Sequence, residues 1–337
     1  MKEAMLYRKG ERNRTDCFLC AQHCRIEPGQ RGKCGVRENR DGVLVSLVYE
    51  RLIAQNVDPI EKKPLFHFHP GSRSLSAATV GCNFSCAFCQ NADISQAPRG
   101  DIAVPSRKIP AKMLVERALD NRCASISYTY TEPTVFMEYA VEAAELAHAV
   151  GISNVFVTNG YMTGEALHAA APFLDAANVD LKAFSDRFYV ERCGGRLKPV
   201  LQTLEAMKRH GIWVEVTTLL IPGLNDSPDE LKQLAGFLVS LGPETPWHVT
   251  RFHPDYRLLD RPATPLQTLR TAREIGLEAG LHFVYTGNVP GDDGENTYCH
   301  GCGKVLIERR GFSIRIGALK GGTCSGCGAA MPGVGLQ

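Results

Sequence analysis

Between residues 75 and 287 short apolar runs alternate with longer stretches of helical periodicity. Strands are predicted over Leu75–Val80, Ala124–Tyr130, Asn154–Thr158, Asn178–Ala183, Ile212–Leu220, Trp247–His253 and Leu281–Tyr285. Helices are predicted over Pro110–Asp120, Thr134–Ala149, Gly164–Phe173, Leu197–His210 and Leu266–Ala279, with a further one starting at Ser227. Leu197, Val200, Leu201, Leu204 and Met207 follow the i, i+3, i+4 spacing of one buried helix face. Gly211 stops that helix. Ser227-Pro228-Asp229-Glu230 is a capping box with proline in the first turn. Strand–helix repeats of this kind give a parallel sheet with right-handed crossovers. Six or seven units predict an α/β fold, a partial or full TIM-type barrel. An open doubly wound sheet is the alternative, although no glycine-rich dinucleotide fingerprint follows the first strand.

In such a barrel the chemistry gathers at the C-terminal strand ends. Those ends are polar here. Thr131-Glu132-Pro133 follows the second strand, Thr158-Asn159-Gly160 the third, and the fourth closes on Asp180-Leu181-Lys182. Period-two alternation sets Asp180 and Lys182 on one face, and Arg251 and His253 on one face of the sixth strand. Buried charge is costly unless it is paired or used on a ligand. The pattern therefore reads as a polar ligand site, or else as an internal ionic network reaching Glu215.

Composition narrows the class. The chain has 337 residues, 44% of them apolar, and a net charge of +2. That suffices for about two domains and a full core, and nucleic acid or an anionic membrane is not indicated. The N-terminus lacks the apolar core of a signal peptide. The apolar stretch Val135–Val157 is broken by Glu138, Glu142 and Glu145, so no membrane span is expected. The expectation is a cytoplasmic protein.

The 13 cysteines change the picture. They fall into three sets, with Cys123 and Cys193 apart. Clustered cysteines in a chain without an export signal point to metal rather than disulfides. The middle set, Cys82, Cys86 and Cys89, has C-x3-C-x2-C spacing and follows the first strand directly. Three thiolates hold three irons of a 4Fe–4S cube and leave the fourth iron open. Zinc asks for a fourth ligand, and none lies within that loop.

This cysteine pattern resembles the signature of the radical S-adenosylmethionine superfamily. The resemblance implies reductive cleavage of the sulfonium cofactor to a 5′-deoxyadenosyl radical, which abstracts hydrogen from a substrate. Residues from about Leu75 to Gly287 look like the barrel of the pyruvate formate-lyase activating enzyme group. That group's Gly-Gly-Glu-Pro motif corresponds to Tyr130-Thr131-Glu132-Pro133, without either glycine. Its Thr-Asn-Gly matches Thr158, Asn159 and Gly160, its Asp-Leu-Lys matches Asp180 to Lys182, and its histidine matches His253. By resemblance, Glu132, Asn159, Lys182 and His253 hold the cofactor, Thr131, Thr158 and Asp180 assist, and Phe88 packs beside the adenine. Nearly the whole chain is similar to the radical enzymes of the AmmeMemoRadiSam system. The residues that carry this are Cys17 to Cys24, Asp58-Pro59-Ile60-Glu61-Lys62-Lys63-Pro64-Leu65, Tyr128 to Thr134 and the C-terminal cysteine pairs. This similarity implies AMMECR-domain and Memo-like partner proteins and an electron donor such as flavodoxin or ferredoxin. Activation of a glycyl-radical enzyme is the competing activity. A closed-cluster binding or electron-transfer module is the competing class.

At the C-terminus, Cys299-x2-Cys302 and Cys324-x2-Cys327 are 21 residues apart, each pair followed by glycine. This is zinc-ribbon spacing, with a hairpin turning at Arg309-Arg310-Gly311. A rubredoxin-like iron and two disulfides are the alternatives, and Arg309, Arg310 and Lys320 are candidates for docking a substrate. At the N-terminus, Cys17, Cys20, Cys24 and Cys34 offer four thiolates, and spacing leaves zinc and an auxiliary cluster both open. Cys193, in Arg192-Cys193-Gly194-Gly195, is a loop cysteine on the active face and a candidate catalytic thiol. The expected organisation is a Cys-rich metal-binding segment over 1–65, the α/β barrel over 66–290 and a zinc-ribbon-like module over 291–337.

Overall fold

The computed structural model describes residues 1–99 and 106–336. Its centre is an eight-stranded sheet. The strands are β1 (Ala54–Pro59), β2 (Arg73–Ala78), β3 (Ser125–Tyr128), β4 (Ser153–Thr158), β5 (Ala176–Asp180), β6 (Trp213–Leu220), β7 (Trp247–Arg251) and β8 (Val284–Gly287). They lie side by side in sequence order. β2 to β8 are parallel, and β1 pairs antiparallel with β2 in the register Asp58↔Ser74. β1 lies inside the segment expected to be a separate N-terminal unit, so that segment supplies an edge of the central sheet.

Sequential order decides between the two expected sheets. Right-handed crossovers that always step the same way put every helix on the same face, which is not the doubly wound arrangement. The helices that cross between successive parallel strands are α1 (Ala111–Asp120), α2 (Met137–His148), α3 (Gly164–Ala170), α4 (Leu197–Arg209), α5 (Pro228–Leu241) and α6 (Leu266–Glu278). α4 buries Leu197, Val200, Leu204 and Met207, as its periodicity predicts. Each such side chain contributes roughly 1.5–3 kcal/mol. α5 is capped by the Ser227 hydroxyl, which accepts from Glu230 N. Among the described residues the end strands β1 and β8 do not pair with each other, so a fully closed barrel is not formed. The seventh strand is displaced from its predicted place: Leu281–Phe283 lead into it and Val284–Gly287 form it.

The face turned away from the helices is polar. Ser74, Ser76, Ser127, Asn178, Glu215 and His248 lie on it, all buried. At the N-terminal ends of the strands the chain 64–68 closes this face. Asn178 Nδ2 donates to Pro64 O (2.8 Å), and Phe66 N and His67 N donate to Glu215 (2.9 and 2.8 Å). Glu215 also accepts from Trp213 Nε1 (3.1 Å) and meets His248 Nε2 (2.7 Å). These partners replace the network with Asp180 and Lys182 that the sequence left open. The expected placing of Arg251 is also corrected. His248 and Thr250 take the polar face of β7, so Arg251 faces the helix layer and its Nε donates to Thr264 O (2.9 Å).

The C-terminal module packs under the same end. Its hairpin runs through β9 (Val305–Arg310) and β10 (Ser313–Ile316). Arg309 is buried and donates to Phe66 O (2.8 Å) and Thr297 Oγ1 (2.6 Å), with its guanidinium over the Phe66 ring. It is a structural tie and not a docking residue, because both of its terminal nitrogens donate inside the protein. His67 completes the joint. Its Nδ1 lies 2.8 Å from Pro332 O and its Nε2 2.6 Å from Tyr285 Oη. A neutral ring satisfies both by donating at Nδ1 and accepting at Nε2.

Burial pulls the His67 pKa down to about 4, against the attraction of Glu215. The unfolded chain therefore takes up this proton first as pH falls. Its contribution to stability is complete above pH 6.5 and is lost as pH drops through that value toward 4. The size is roughly 3 kcal/mol. Urea unfolding at stepped pH is expected to show a steeper acid decline in the wild type than in His67→Gln. Parallel slopes would refute it.

Candidate active site

Strand β2 ends at Ala78, and the chain runs through Thr79 into the cysteine loop at the C-terminal edge of the sheet. Neighbouring backbone clamps this loop. Ser85 N and Ala87 N donate to Cys193 O (2.8 Å) and Arg192 O (2.9 Å), and Arg257 N donates to Ala87 O (2.9 Å). Phe84 N points at Cys82 Sγ (3.4 Å), and Ser95 Oγ lies 3.2 Å from Cys89 Sγ. Gly195 is needed for this docking, since a Cβ there would overlap the Phe84 ring.

Glu132 sits at the centre of the next two strand ends. It is 2% exposed. Its Oε1 accepts from Thr134 N (3.1 Å), Thr134 Oγ1 (2.6 Å) and Thr158 Oγ1 (2.7 Å), and its Oε2 from Asn159 N (2.8 Å). Burial pushes its carboxyl pKa up, against these donors. Asn159 Nδ2 reaches Asn83 Oδ1 (2.7 Å) and lies 3.7 Å from Cys82 Sγ, so Glu132 and the cysteine loop form one network. Gly160 at φ +69° turns the chain where a Cβ would meet Val179 at 3.0 Å. Thr131 is buried and ties back to Thr79 O (2.8 Å).

Tyr130 occupies a left-handed conformation, φ +62°, in the slot where the related motif carries glycine. Such a backbone strains a bulky residue. Its phenol donates to Asp58, which also accepts from Lys63 (2.7 Å), Lys62 (2.9 Å) and Ser76 (2.7 Å). The Asp58-to-Lys63 motif thus holds the tyrosine.

Asp180 and Lys182 share the polar face and pair at 3.0 Å. Burial opposes the lysine's charge, but Asp180 and the neighbouring Cys86 and Cys193 sulfurs outweigh it and raise its pKa. Lys182 Nζ lies 5.8 Å from the centre of the Phe88 ring, which is buried against Phe188. Cys193 is wholly buried against Cys86, whose pKa it lowers by hydrogen bonding, against burial. Its glycines serve packing between the two loops, not access from solvent. Burial, with Glu132 nearby, raises the pKa of Cys82. His253 follows β7 and is exposed, apart from the network around Glu132.

Sequence reasoning missed Asn83, Gln22 and Arg99. Gln22 Nε2 donates to Asn83 O (2.9 Å) and Gly194 O (2.8 Å). Arg99 bridges Lys33 O (2.8 Å) and Cys82 O (2.9 Å). Only Asn83, inside the cysteine motif, carried a sequence signal. Its Nδ2 and Thr217 Oγ1 are buried without a partner, which fits a polar ligand at these strand ends. Three thiols beside a carboxylate, an amide and an ammonium suit a cluster with an open iron and a charged cofactor.

The four C-terminal cysteines have their sulfurs within 4.8 Å of one another and form a candidate metal site. Cys299 and Cys327 are 3.5 Å apart, Cys302 and Cys324 3.6 Å. Among the described residues no helix is long and apolar enough to cross a membrane.

The chain resembles several known proteins. An uncharacterized protein of Methanocaldococcus jannaschii is 48% identical over 317 residues, covering 94% of each chain. The pyruvate formate-lyase-activating enzyme of Clostridium pasteurianum is 21% identical over 172 residues, 51% of this chain and 71% of that protein. A radical SAM methyltransferase from Sphaerobacter thermophilus shares the fold, with a TM-score of 0.52 at 17% identity over 65% of this chain and 67% of that one. The signature of the Radical SAM superfamily matches residues 77–238, from the end of β2 through most of α5, and so takes in the cysteine loop and the Glu132 network. With its three cysteines at the end of the first parallel strand, residues 77–238 of this chain form a Radical SAM domain.

Proposed function

We propose that the chain is a radical SAM enzyme in which Cys82, Cys86 and Cys89 hold a 4Fe–4S cluster with one open iron. The observation that carries this is the convergence of the cysteine loop, Glu132, Asn159 and the Asp180–Lys182 pair at adjacent strand ends. Bound S-adenosylmethionine supplies, on reduction, a 5′-deoxyadenosyl radical for hydrogen abstraction. The chain's own residues do the rest. Glu132 Oε2 accepts from the cofactor's amino group, and Asn159 fixes that carboxylate. Thr131 and Thr158 hold the surrounding turns. Lys182, oriented by Asp180, reaches the ribose, Phe88 flanks the adenine, and His253 closes over it from β7. Cys193 positions Cys86.

The substrate side is read from the resemblance of nearly the whole chain, flanking cysteine sets included, to the radical enzymes of the AmmeMemoRadiSam system. The enzyme works with AMMECR-domain and Memo-like partners in the cytoplasm, receives its electron from a flavodoxin or ferredoxin, and keeps zinc at Cys299, Cys302, Cys324 and Cys327. A second reading, activation of a glycyl-radical enzyme, is favoured by the similarity to the Clostridium pasteurianum activating enzyme.

Anaerobic protein with dithionite and S-adenosylmethionine is expected to form 5′-deoxyadenosine. Deuterium should enter that product from a labelled cell extract only when both partner proteins are added. Intact cofactor beside a reduced cluster would refute the enzyme reading. Deuterium from a glycine-labelled glycyl-radical enzyme would replace the partner reading with the second.

A further inference from the structure

The chain holds three cysteine sets, and their sulfurs are spaced in two different ways. Tetrahedral zinc with sulfurs at about 2.3 Å sets each pair of sulfurs about 3.8 Å apart. The C-terminal set has this spacing, with pairs at 3.5 and 3.6 Å. Among the described residues it is the only group of three or more ligating side chains whose ligand atoms all lie within 4.8 Å. No three of Cys17, Cys20, Cys24 and Cys34 gather so closely, although strand pairing and turns bring the four into one corner of the N-terminal segment. The sulfurs of Cys82, Cys86 and Cys89 do not all lie within 4.8 Å of one another either. A 4Fe–4S cube separates its thiolates more widely than one ion does, because each sulfur stands out from a different corner. Among the described residues, neither the N-terminal set nor the triplet has the close packing of the single-ion set.

We propose that Cys17, Cys20, Cys24 and Cys34 hold a second 4Fe–4S cluster rather than zinc. The surroundings suit one. Lys33 N and Arg37 Nη1 point at Cys24 Sγ and Cys17 Sγ, each at 3.5 Å, and hydrogen bonds to sulfur tune such clusters. Arg37 is buried and brings positive charge to a set that is anionic once its thiols are deprotonated. The set also lies directly beside the radical site. The turn between Cys20 and Cys24 reaches the cysteine loop through Gln22, and Arg99 links Lys33 O to Cys82 O. A methyl group on Gly81 would stand 3.0 Å from Cys34 O, so the two loops are in contact. The proposal goes beyond the radical SAM reading and stands without it.

The test compares full-length protein, reconstituted anaerobically with iron and sulfide, with two variants. Wild type is expected to carry about eight irons per chain and about one zinc. Cys82→Ala/Cys86→Ala/Cys89→Ala should keep about four irons with matching sulfide. Its dithionite-reduced EPR signal should not respond to S-adenosylmethionine. Cys17→Ser/Cys24→Ser should lose about four irons and keep a signal that does respond. Two zincs in wild type, one of them lost in Cys17→Ser/Cys24→Ser with iron unchanged, would overturn the proposal. If that variant does not fold, the triple variant decides: iron retained supports a second cluster, and iron absent with two zincs refutes it. The triple variant's iron reports only the N-terminal set, while the cofactor-responsive signal reports only the triplet, so the two readings fail separately.

Discussion

Cys82→Ala is expected to cut 5′-deoxyadenosine formation to on the order of a thousandth or less of wild type. With two thiolates left, the loop cannot hold a cube that keeps one iron free for a ligand. Among the described residues, the side-chain oxygens around Cys82 are already engaged. Asn83 and Asn159 are bonded to each other beside it, and Glu132 is occupied by four donors. Product is measured by chromatography under anaerobic reducing conditions. Cys193→Ser provides the contrast. Serine keeps a donor to Cys86, so turnover should stay within about tenfold of wild type. Wild-type-like turnover in Cys82→Ala would remove the cluster from the mechanism, whereas inactivity of Cys193→Ser with its iron retained would make Cys193 a catalytic thiol.

The second large effect is on stability. Glu138 projects from α2 into the N-terminal segment, where it pairs with Arg37 and accepts from Met5 N (2.9 Å). The two side chains are 4% and 1% exposed. Glu138→Ala removes the carboxylate partner of buried Arg37 and the acceptor of Met5 N, and breaking a buried pair by losing one partner costs about 3–5 kcal/mol. Denaturant unfolding at matched metal content is the measurement. The paired replacement Arg37→Met/Glu138→Leu should recover most of the loss, since apolar groups of similar volume leave no buried charge behind. If Glu138→Ala unfolds like wild type, the ion pair does not hold this segment in place.

Strand β7 shows where sequence reasoning loses its grip. Alternation set Arg251 and His253 on one face, but the strand ends at Arg251, and which of its faces looked inward depended on contacts made by other strands. Trp247 fills the space under Gly276 of α6, where a Cβ would stand 2.9 Å from the indole, and this turns His248 and Thr250 to the polar side. Arg309 is a similar case. An arginine at a hairpin turn reads as solvent-exposed, yet Phe66 O, more than 240 positions away in the chain, claims it. The predicted network through Glu215 failed for the same reason, because its partners come from the 66–67 backbone and from β7.

What local order dictates was readable from the chain alone: the strand–helix alternation, the buried face of α4, the cap at Ser227, and the three sets of cysteines. These depend on periodicity and on ligand spacing within one or two turns of chain. Tertiary structure decided the rest. It left the sheet open with every helix on one face and held Tyr130 left-handed on Asp58. It also set Gln22 and Arg99 against the cysteine loop and gave two cysteine sets different spacings from the third. Each of these outcomes rests on contacts between residues far apart in sequence, and their energies depend on which surfaces meet, a quantity that no local pattern encodes.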